Sequence, residues 1–303
     1  NPGNVARLGF QMGVTGGLQK VLYGYFVADN TVYDCTLPAT APSPVPTPVL
    51  DLGTGTICAT FWNDAVSDKT TAYAFETSGG DCHGSSLYLL QSDTNIGGAV
   101  AGTLLADLTT TGVLYTLSGS TLDVIAFDTD DAGTETTSST TCLTVSNALG
   151  DGAAGGGFVV GVDTTAGVIR GAKNTAGTCG TPANLATGVT TENAIAVAPT
   201  GATFAFENGA NLYVCPTTGC TAGELATPYA AGVGAIARNG LAFDGANLYW
   251  IGSAGLQRCS GVTAGGSCTP TTLEPGLKAT SGIGFDSTFV YYLQGMVLSR
   301  APK

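Results

Sequence analysis

The densest set of potential metal ligands is Asp128-Thr129-Asp130-Asp131-Ala132-Gly133-Thr134-Glu135. Asp128, Asp130 and Gly133 fall where a calcium-binding loop places its first ligand, its third-position ligand and its turn glycine, and Asp131 stands beside them. Ala132 occupies a ligand position, and Ser139 stands where a bidentate Glu would close the site. Two readings stay open: a solvated acidic loop, or a Ca²⁺ site on Asp128, Asp130 and Asp131. No other cofactor is expected.

Covalent chemistry has little to draw on. A hydroxyl or thiol nucleophile needs a base beside it. His83 is the sole histidine, and its neighbour Cys82 is expected to be oxidised. Glycosidases use two carboxylates about 5 to 9 Å apart. The 22 Asp and Glu guarantee such pairs, but no spacing singles one out. Asp244 and Asp286 recur after Phe at one repeat position, which fits an Asp closing a turn on its own backbone. Trp62 stands outside the aromatic series described below, and could stack on a sugar or fill a gap between packed sheets.

Composition narrows the partners. Charged residues make up 11% of the 303, against roughly 25% in a typical soluble domain. Formal net charge is −12 with no Lys/Arg cluster, which excludes nucleic acid and anionic membrane surfaces as expected partners. Mean hydropathy is positive, yet no run of about 18 uncharged apolar residues could span a bilayer. Nine Cys, without a Cys-x-x-Cys pair and with one His, favour disulfides over zinc and hence an oxidising compartment. The chain begins at Asn1, which fits a removed leader. There is no Asn-x-Ser/Thr sequon to suggest a glycosylated secretory origin.

The elements that must position these residues are short strands in a repeat. Gly240-Leu-Ala-Phe-Asp-Gly245 with Asn247-Leu-Tyr-Trp-Ile-Gly252 returns as Gly282-Ile-Gly-Phe-Asp-Ser287 with Phe289-Val-Tyr-Tyr-Leu-Gln294. Val197 to Cys215 also aligns with Leu241 to Cys259 without a gap. Seven aromatic or apolar centres follow one another: Tyr25-Phe26, Tyr73 to Phe75, Leu114-Tyr115, Phe158 to Val160, Phe204 to Phe206, Tyr249-Trp250 and Tyr291-Tyr292. Their spacing, roughly 41 to 48 residues, is that of propeller blades. No helical periodicity of useful length competes. The expected fold is an all-β, seven-bladed β-propeller, with six or eight blades as alternatives, in a single domain over residues 1–303.

A closed ring of small sheets buries both faces of each and leaves only short edges. The last repeat supplies strands near Ile283, Tyr291 and Val297 and lacks a fourth. Asn4 to Met12 has no repeat of its own, so it is expected to complete the last blade. Leu37 to Val49 holds five Pro in 13 residues. It should be an extended connection between the third and fourth strands of blade one, or a segment for a proline-binding partner.

Blade topology then pairs the cysteines. Cys215 with Cys220 and Cys259 with Cys268 bracket two successive three-four turns. Cys58 and Cys82 fall on one face of blade two. Cys142 and Cys179, both placed near three-four loops, would bridge neighbouring blades. Cys35 is left over, as a buried thiol or an intermolecular bridge.

Tyr249-Trp250, Leu256-Gln257-Arg258-Cys259 and Cys268-Thr269-Pro270-Thr271-Thr272-Leu273 resemble the repeat of secreted bacterial β-propeller proteins. Leu212-Tyr213-Val214-Cys215 with Gly219-Cys220 is similar to a short form of that hairpin. The resemblance implies a propeller fold and export to the cell surface or medium, and carries no catalytic residues. The expected function is a non-enzymatic structural or protein-binding module for cell-surface assembly or adhesion. A self-assembled filament would follow if a neighbouring chain filled an open strand slot. The alternatives are a carbohydrate-active or lactonase-like propeller enzyme, or a lectin taking a glycan.

Overall fold

The computed structural model describes residues 7–106 through the backbone of their strands. It also describes residues 113–303, apart from 130–134, 146–148, 176, 191–193, 238–239, 279–282, 286–287 and 295–296. The described strands fall into seven antiparallel sheets, each drawn from one unbroken stretch of sequence. Sheet 1 holds β1 (Arg7–Thr15), β2 (Leu18–Gly24), β3 (Thr31–Leu37) and β4 (Thr47–Asp51). Sheet 2 holds β5 (Ala59–Ser67), β6 (Ala72–Gly79), β7 (Ser86–Leu89) and β8 (Thr94–Asn95). Sheet 3 holds β9 (Thr103–Ala106), β10 (Val113–Ser118), β11 (Thr121–Thr129) and β12 (Glu135–Thr144). Sheet 4 holds β13 (Leu149–Gly155), β14 (Phe158–Asp163), β15 (Val168–Thr175), the short β16 (Thr178–Cys179) and β17 (Ala183–Thr187).

Sheet 5 holds β18 (Ile195–Val197), β19 (Thr203–Asn208) and β20 (Asn211–Pro216), followed by the helix α1 (Ala222–Ala226). Sheet 6 holds β21 (Leu241–Asp244), β22 (Asn247–Gly252), β23 (Gly255–Cys259) and β24 (Thr271–Pro275). Sheet 7 holds β25 (Ile283–Phe285), β26 (Phe289–Gln294) and β27 (Val297–Pro302). The first strands touch in sequence: β1 on β5, β5 on β9, β9 on β13, β13 on β18, β18 on β21, β21 on β25, and β25 back on β1. That cycle closes a ring of sheets about its inner strands.

The aromatic doublets explain how the sheets stack. Successive residues of a strand face opposite sides. In β22, Leu248 and Trp250 enter the core shared with sheet 5, while Tyr249 and Ile251 enter the core shared with sheet 7. In β19, Phe204 and Phe206 face sheet 4 and Ala205 faces sheet 6. In β14, Val159 faces sheet 3 and Val160 and Val162 face sheet 5. Their central positions are therefore apolar in succession rather than alternating, because both faces are covered. Burying each such Leu, Val or Phe contributes about 1.5–3 kcal/mol. Six of the seven aromatic centres lie on the second strands of sheets 2 to 7. Tyr25-Phe26 lies outside the described residues.

The N-terminal strand departs from expectation. Arg7–Thr15 pairs with Leu18–Gly24 as the inner hairpin of sheet 1, and does not complete sheet 7. Thr15 pairs with Leu18, leaving only Gly16 and Gly17 between the strands. Gly-Gly is favoured in two-residue hairpins. Closing so short a loop costs less chain entropy than pairing with a strand at the far end of the chain. Among the described residues, sheet 7 keeps three strands. The proline-rich stretch joins β3 to β4 as expected, and Pro48 sits on the outer strand, where a missing N–H is tolerated.

Candidate functional site: the bridged belt across sheets 3 to 6

Four successive sheets are tied together by a belt of disulfides and main-chain bonds. Between sheets 3 and 4, Cys142 is bridged to Cys179. Cys142 lies in β12 itself rather than in a loop. The ladder to β11 slips there, since Leu122 faces Leu143 while Asp123 faces Thr141. The extra residue of a β-bulge re-aims its side chain. Beside this bridge, Arg170 Nη1 donates to the Thr144 carbonyl at 2.9 Å, and Asn174 Nδ2 donates to the Tyr115 hydroxyl at 2.7 Å in the buried interior.

Between sheets 4 and 5, the Cys220 N–H donates to the Leu185 carbonyl at 2.6 Å. Cys220 is held by its bridge to Cys215, five residues earlier. The chain then enters α1 through a reciprocal cap. The Glu224 N–H donates to Thr221 Oγ1 and the Thr221 N–H to Glu224 Oε2. Instead of a fourth strand, Leu212 of β20 makes a single bridge to Ala230.

Between sheets 5 and 6, the Gly265 N–H donates to the Val214 carbonyl at 3.1 Å and the Cys268 N–H to the Tyr229 carbonyl at 2.7 Å. Both donors sit on the loop that the Cys259–Cys268 bridge constrains. A cysteine of each bridge thus either spans two sheets or fixes the backbone group that does.

Hydroxyl-bearing edges rise from this belt. Ser139, Thr140 and Thr141 on β12 and Thr271 and Thr272 on β24 are exposed. Sheets 4 and 5 also bury a few polar groups. Asp163 is 1% exposed; one carboxylate oxygen accepts from the Ala166 N–H at 2.9 Å, closing a turn, while the other lacks a partner. Asp151 is also buried, on the adjoining strand β13. Glu207 Oε2 accepts from the Ile236 N–H at 3.2 Å.

Burial raises the phenol pKa of Tyr229. Tyr249 is raised by burial and by Asp244, while Arg258 beside it pulls the other way. Tyr292 is raised by burial and by Glu274.

The residues singled out by chemistry are dispersed. Asp128 lies on β11 opposite Thr136. Ser139 lies opposite Ile125, three positions away, roughly 10 Å at about 3.3 Å per residue. Asp128 and Ser139, the ends of the twelve-residue acidic motif, therefore stand on facing strands three positions out of register. Asp130, Asp131, Cys58, Cys82, His83 and Asp286 lie outside the described residues. Cys35 lies on β3 opposite Val21, and Trp62 on β5 opposite Glu76. Asp244 pairs its carboxylate with Lys303 Nζ, which also stands 5.3 Å from the Phe285 ring centre. Its carboxylate thus ties β21 to Lys303, a contact across sheets 6 and 7. Among the described residues, no three His, Cys, Asp or Glu side chains come together to hold a metal, and no helix is long and apolar enough to cross a membrane.

Sequence reasoning missed α1, whose Thr221-x-x-Glu224 cap was readable, and Asp163, whose turn sequence Asp-Thr-Thr-Ala-Gly was its only signal.

No family model and no curated protein matches the sequence. Solved structures do. A chain from the "Crystal Structure of Mitotic Checkpoint Complex" is 13% identical, with a TM-score of 0.60 over 98% of this chain and 86% of its own. Hsv2 from Kluyveromyces lactis is 9% identical, with a TM-score of 0.61 over 97% of this chain and 90% of its own. The chain is a β-propeller. At these identities the likeness concerns the fold, and the belt of cysteines has to be interpreted from this chain alone.

Proposed function

We propose that this propeller is an exported, non-enzymatic module that binds protein, serving structural assembly or adhesion at the bacterial cell surface or outside the cell. The observation that carries this reading is the belt. Three disulfides and the bonds beside them hold sheets 3 to 6 as one preformed surface with hydroxyl-rich edges. A preformed surface loses little entropy on binding, and disulfides belong to oxidising compartments. The resemblance to secreted bacterial cysteine-containing propellers, carried by Tyr249-Trp250, Arg258-Cys259 and Cys268-Thr269-Pro270, points the same way.

The test is cross-linking of the oxidised, full-length chain to intact native cells, followed by identification of the captured proteins and a parallel glycan array. A surface-protein partner that is lost on reduction supports the proposal. Glycan retention without a protein partner would replace it with the lectin reading. One observation favours an enzyme instead: Asp151 and Asp163 are buried carboxylates on adjacent strands, and one oxygen of Asp163 lacks a partner. Turnover of a lactone or glycoside that is abolished by Asp163→Asn would establish that reading.

A further inference from the structure

The outer edges of the sheets differ in how they are guarded. An unpaired edge strand is a template for another chain, and proteins blunt such edges with proline, charge, shortness or a covering loop. In sheet 4, the β17 carbonyl of Leu185 is already taken by Cys220. In sheet 5, the segment through α1 to Ala230 covers β20. In sheet 6, β24 has five residues, stands between Pro270 and Pro275 and carries Glu274. In sheet 7, β27 carries Arg300 and ends at Pro302.

Strand β12 is guarded at its ends, by Glu135 at the start and by the bulged, bridged Cys142 and the Thr144 carbonyl that Arg170 occupies at the other, but not in its middle. It runs ten residues, Glu-Thr-Thr-Ser-Ser-Thr-Thr-Cys-Leu-Thr, with no proline and with its single charge at the first position. Among the described residues no strand pairs with its outer side. Ser139, Thr140 and Thr141 are exposed in succession. A strand covered on one face would bury every second residue, so at Ser139 to Thr141 both faces are open to solvent, while Cys142 and Leu143 turn into the core.

We propose that β12 is a docking edge and that its occupant is the β12 of a second copy, paired antiparallel about a two-fold axis at Ser139. This deepens, and rests on, the reading of the chain as an assembly module. An isologous contact requires a self-complementary surface. About this axis Ser139 falls opposite its own copy, Ser138 opposite Thr140 and Thr137 opposite Thr141, so the central pairs join hydroxyl-bearing residues, with Thr136 opposite Cys142 beyond them. Such Thr and Ser pairs stabilise antiparallel ladders.

Charge argues for the same occupant. Two copies of a chain with net charge −12 repel at most surfaces. Along Thr136–Thr144 there is no charge to repel. The two Glu135 positions fall at opposite ends of the paired strands, roughly 27 Å apart at about 3.4 Å per residue, beyond the reach of unscreened charge at ordinary salt. Pairing joins sheet 3 of one ring to sheet 3 of the next as a continuous sheet.

Light scattering on the full-length oxidised chain tests this, with Ser139→Glu, Ser139→Lys and an equimolar mixture of the two. The wild type is expected to be dimeric at micromolar concentration, each variant monomeric, and the mixture dimeric again, because the opposed side chains then attract. Unfolding midpoints close to wild type for both variants will show that the exposed substitution leaves the fold intact. A monomeric wild type, a dimer that Ser139→Glu leaves intact, or a mixture that stays monomeric overturns the proposal. A monomeric wild type that still captures surface proteins would remove the β12 pairing and leave the assembly function standing.

Discussion

Asn174 of β15 donates its side-chain amide to the hydroxyl of Tyr115 on β10, a 2.7 Å bond buried between sheets 3 and 4. The two residues are 59 positions apart and belong to neighbouring sheets. Removing the hydroxyl by Tyr115→Phe leaves a buried amide with one donor unmet, and the Asn174 carbonyl oxygen already lacks a partner. The expected loss is about 1–3 kcal/mol in urea unfolding. Asn174→Leu in the Tyr115→Phe background should lose much less than the sum of the single changes.

The disulfides should differ in worth by the loops they close. Cys142–Cys179 spans 37 residues and Cys215–Cys220 spans five. On chain-entropy grounds, replacing the first pair with Ala should cost about 4 kcal/mol and the second about 2 kcal/mol. Denaturant midpoints of the two double variants, each compared with wild type, check the order.

Gly156 and Gly201 sit in turns of adjacent sheets, both with positive φ, at 59° and 66°. A Cβ on Gly201 would lie 2.4 Å from the Gly156 carbonyl oxygen, which is backbone and has no rotamer to yield. Gly209 has a similar φ of 60° and open space where its Cβ would be. Gly209→Ala should cost about 1 kcal/mol from the left-handed conformation alone. Gly201→Ala should cost at least about twice that, and thermal unfolding of the pair separates clash from conformation.

Alkaline pH should unfold the protein through its buried phenols. Tyr229, Tyr249 and Tyr292 all ionise above their ordinary value of 10.0 when folded, chiefly because burial penalises the phenolate. A raised folded pKa means that the unfolded chain releases its protons first. The stability these groups contribute is complete below pH 10 and is lost as pH rises through the folded values. Phenolate absorbance should therefore rise together with loss of tertiary structure, and Tyr249→Phe should shift that onset upward.

Much of the ring was legible because it rests on local pattern. Tyr249-Trp250 and Tyr291-Tyr292 recur because every second strand needs one large residue for each neighbouring sheet, and strand periodicity exposes that need. The hairpin of β1 with β2 was misread for lack of a repeat, although Gly16-Gly17 was in plain view. The short helix after Cys220 was missed because aperiodic, five-residue elements leave only their caps as a trace. Asn174 with Tyr115, and Asp244 with Lys303, could not be read at all. Each joins residues of different sheets, and nothing in either neighbourhood names the distant partner. The acidic motif from Asp128 is legible only at its two ends, on facing strands, since Asp130 and Asp131 lie outside the described residues.

Each sheet of the ring is cut from a single uninterrupted length of chain, and β1 touches β25 without entering its sheet. Among the described residues no strand is lent across the junction between head and tail. Duplication or deletion of one blade-length segment of the gene therefore adds or removes a whole wedge while leaving every other hairpin in register. Such a lineage can change its number of wedges in a single genetic event.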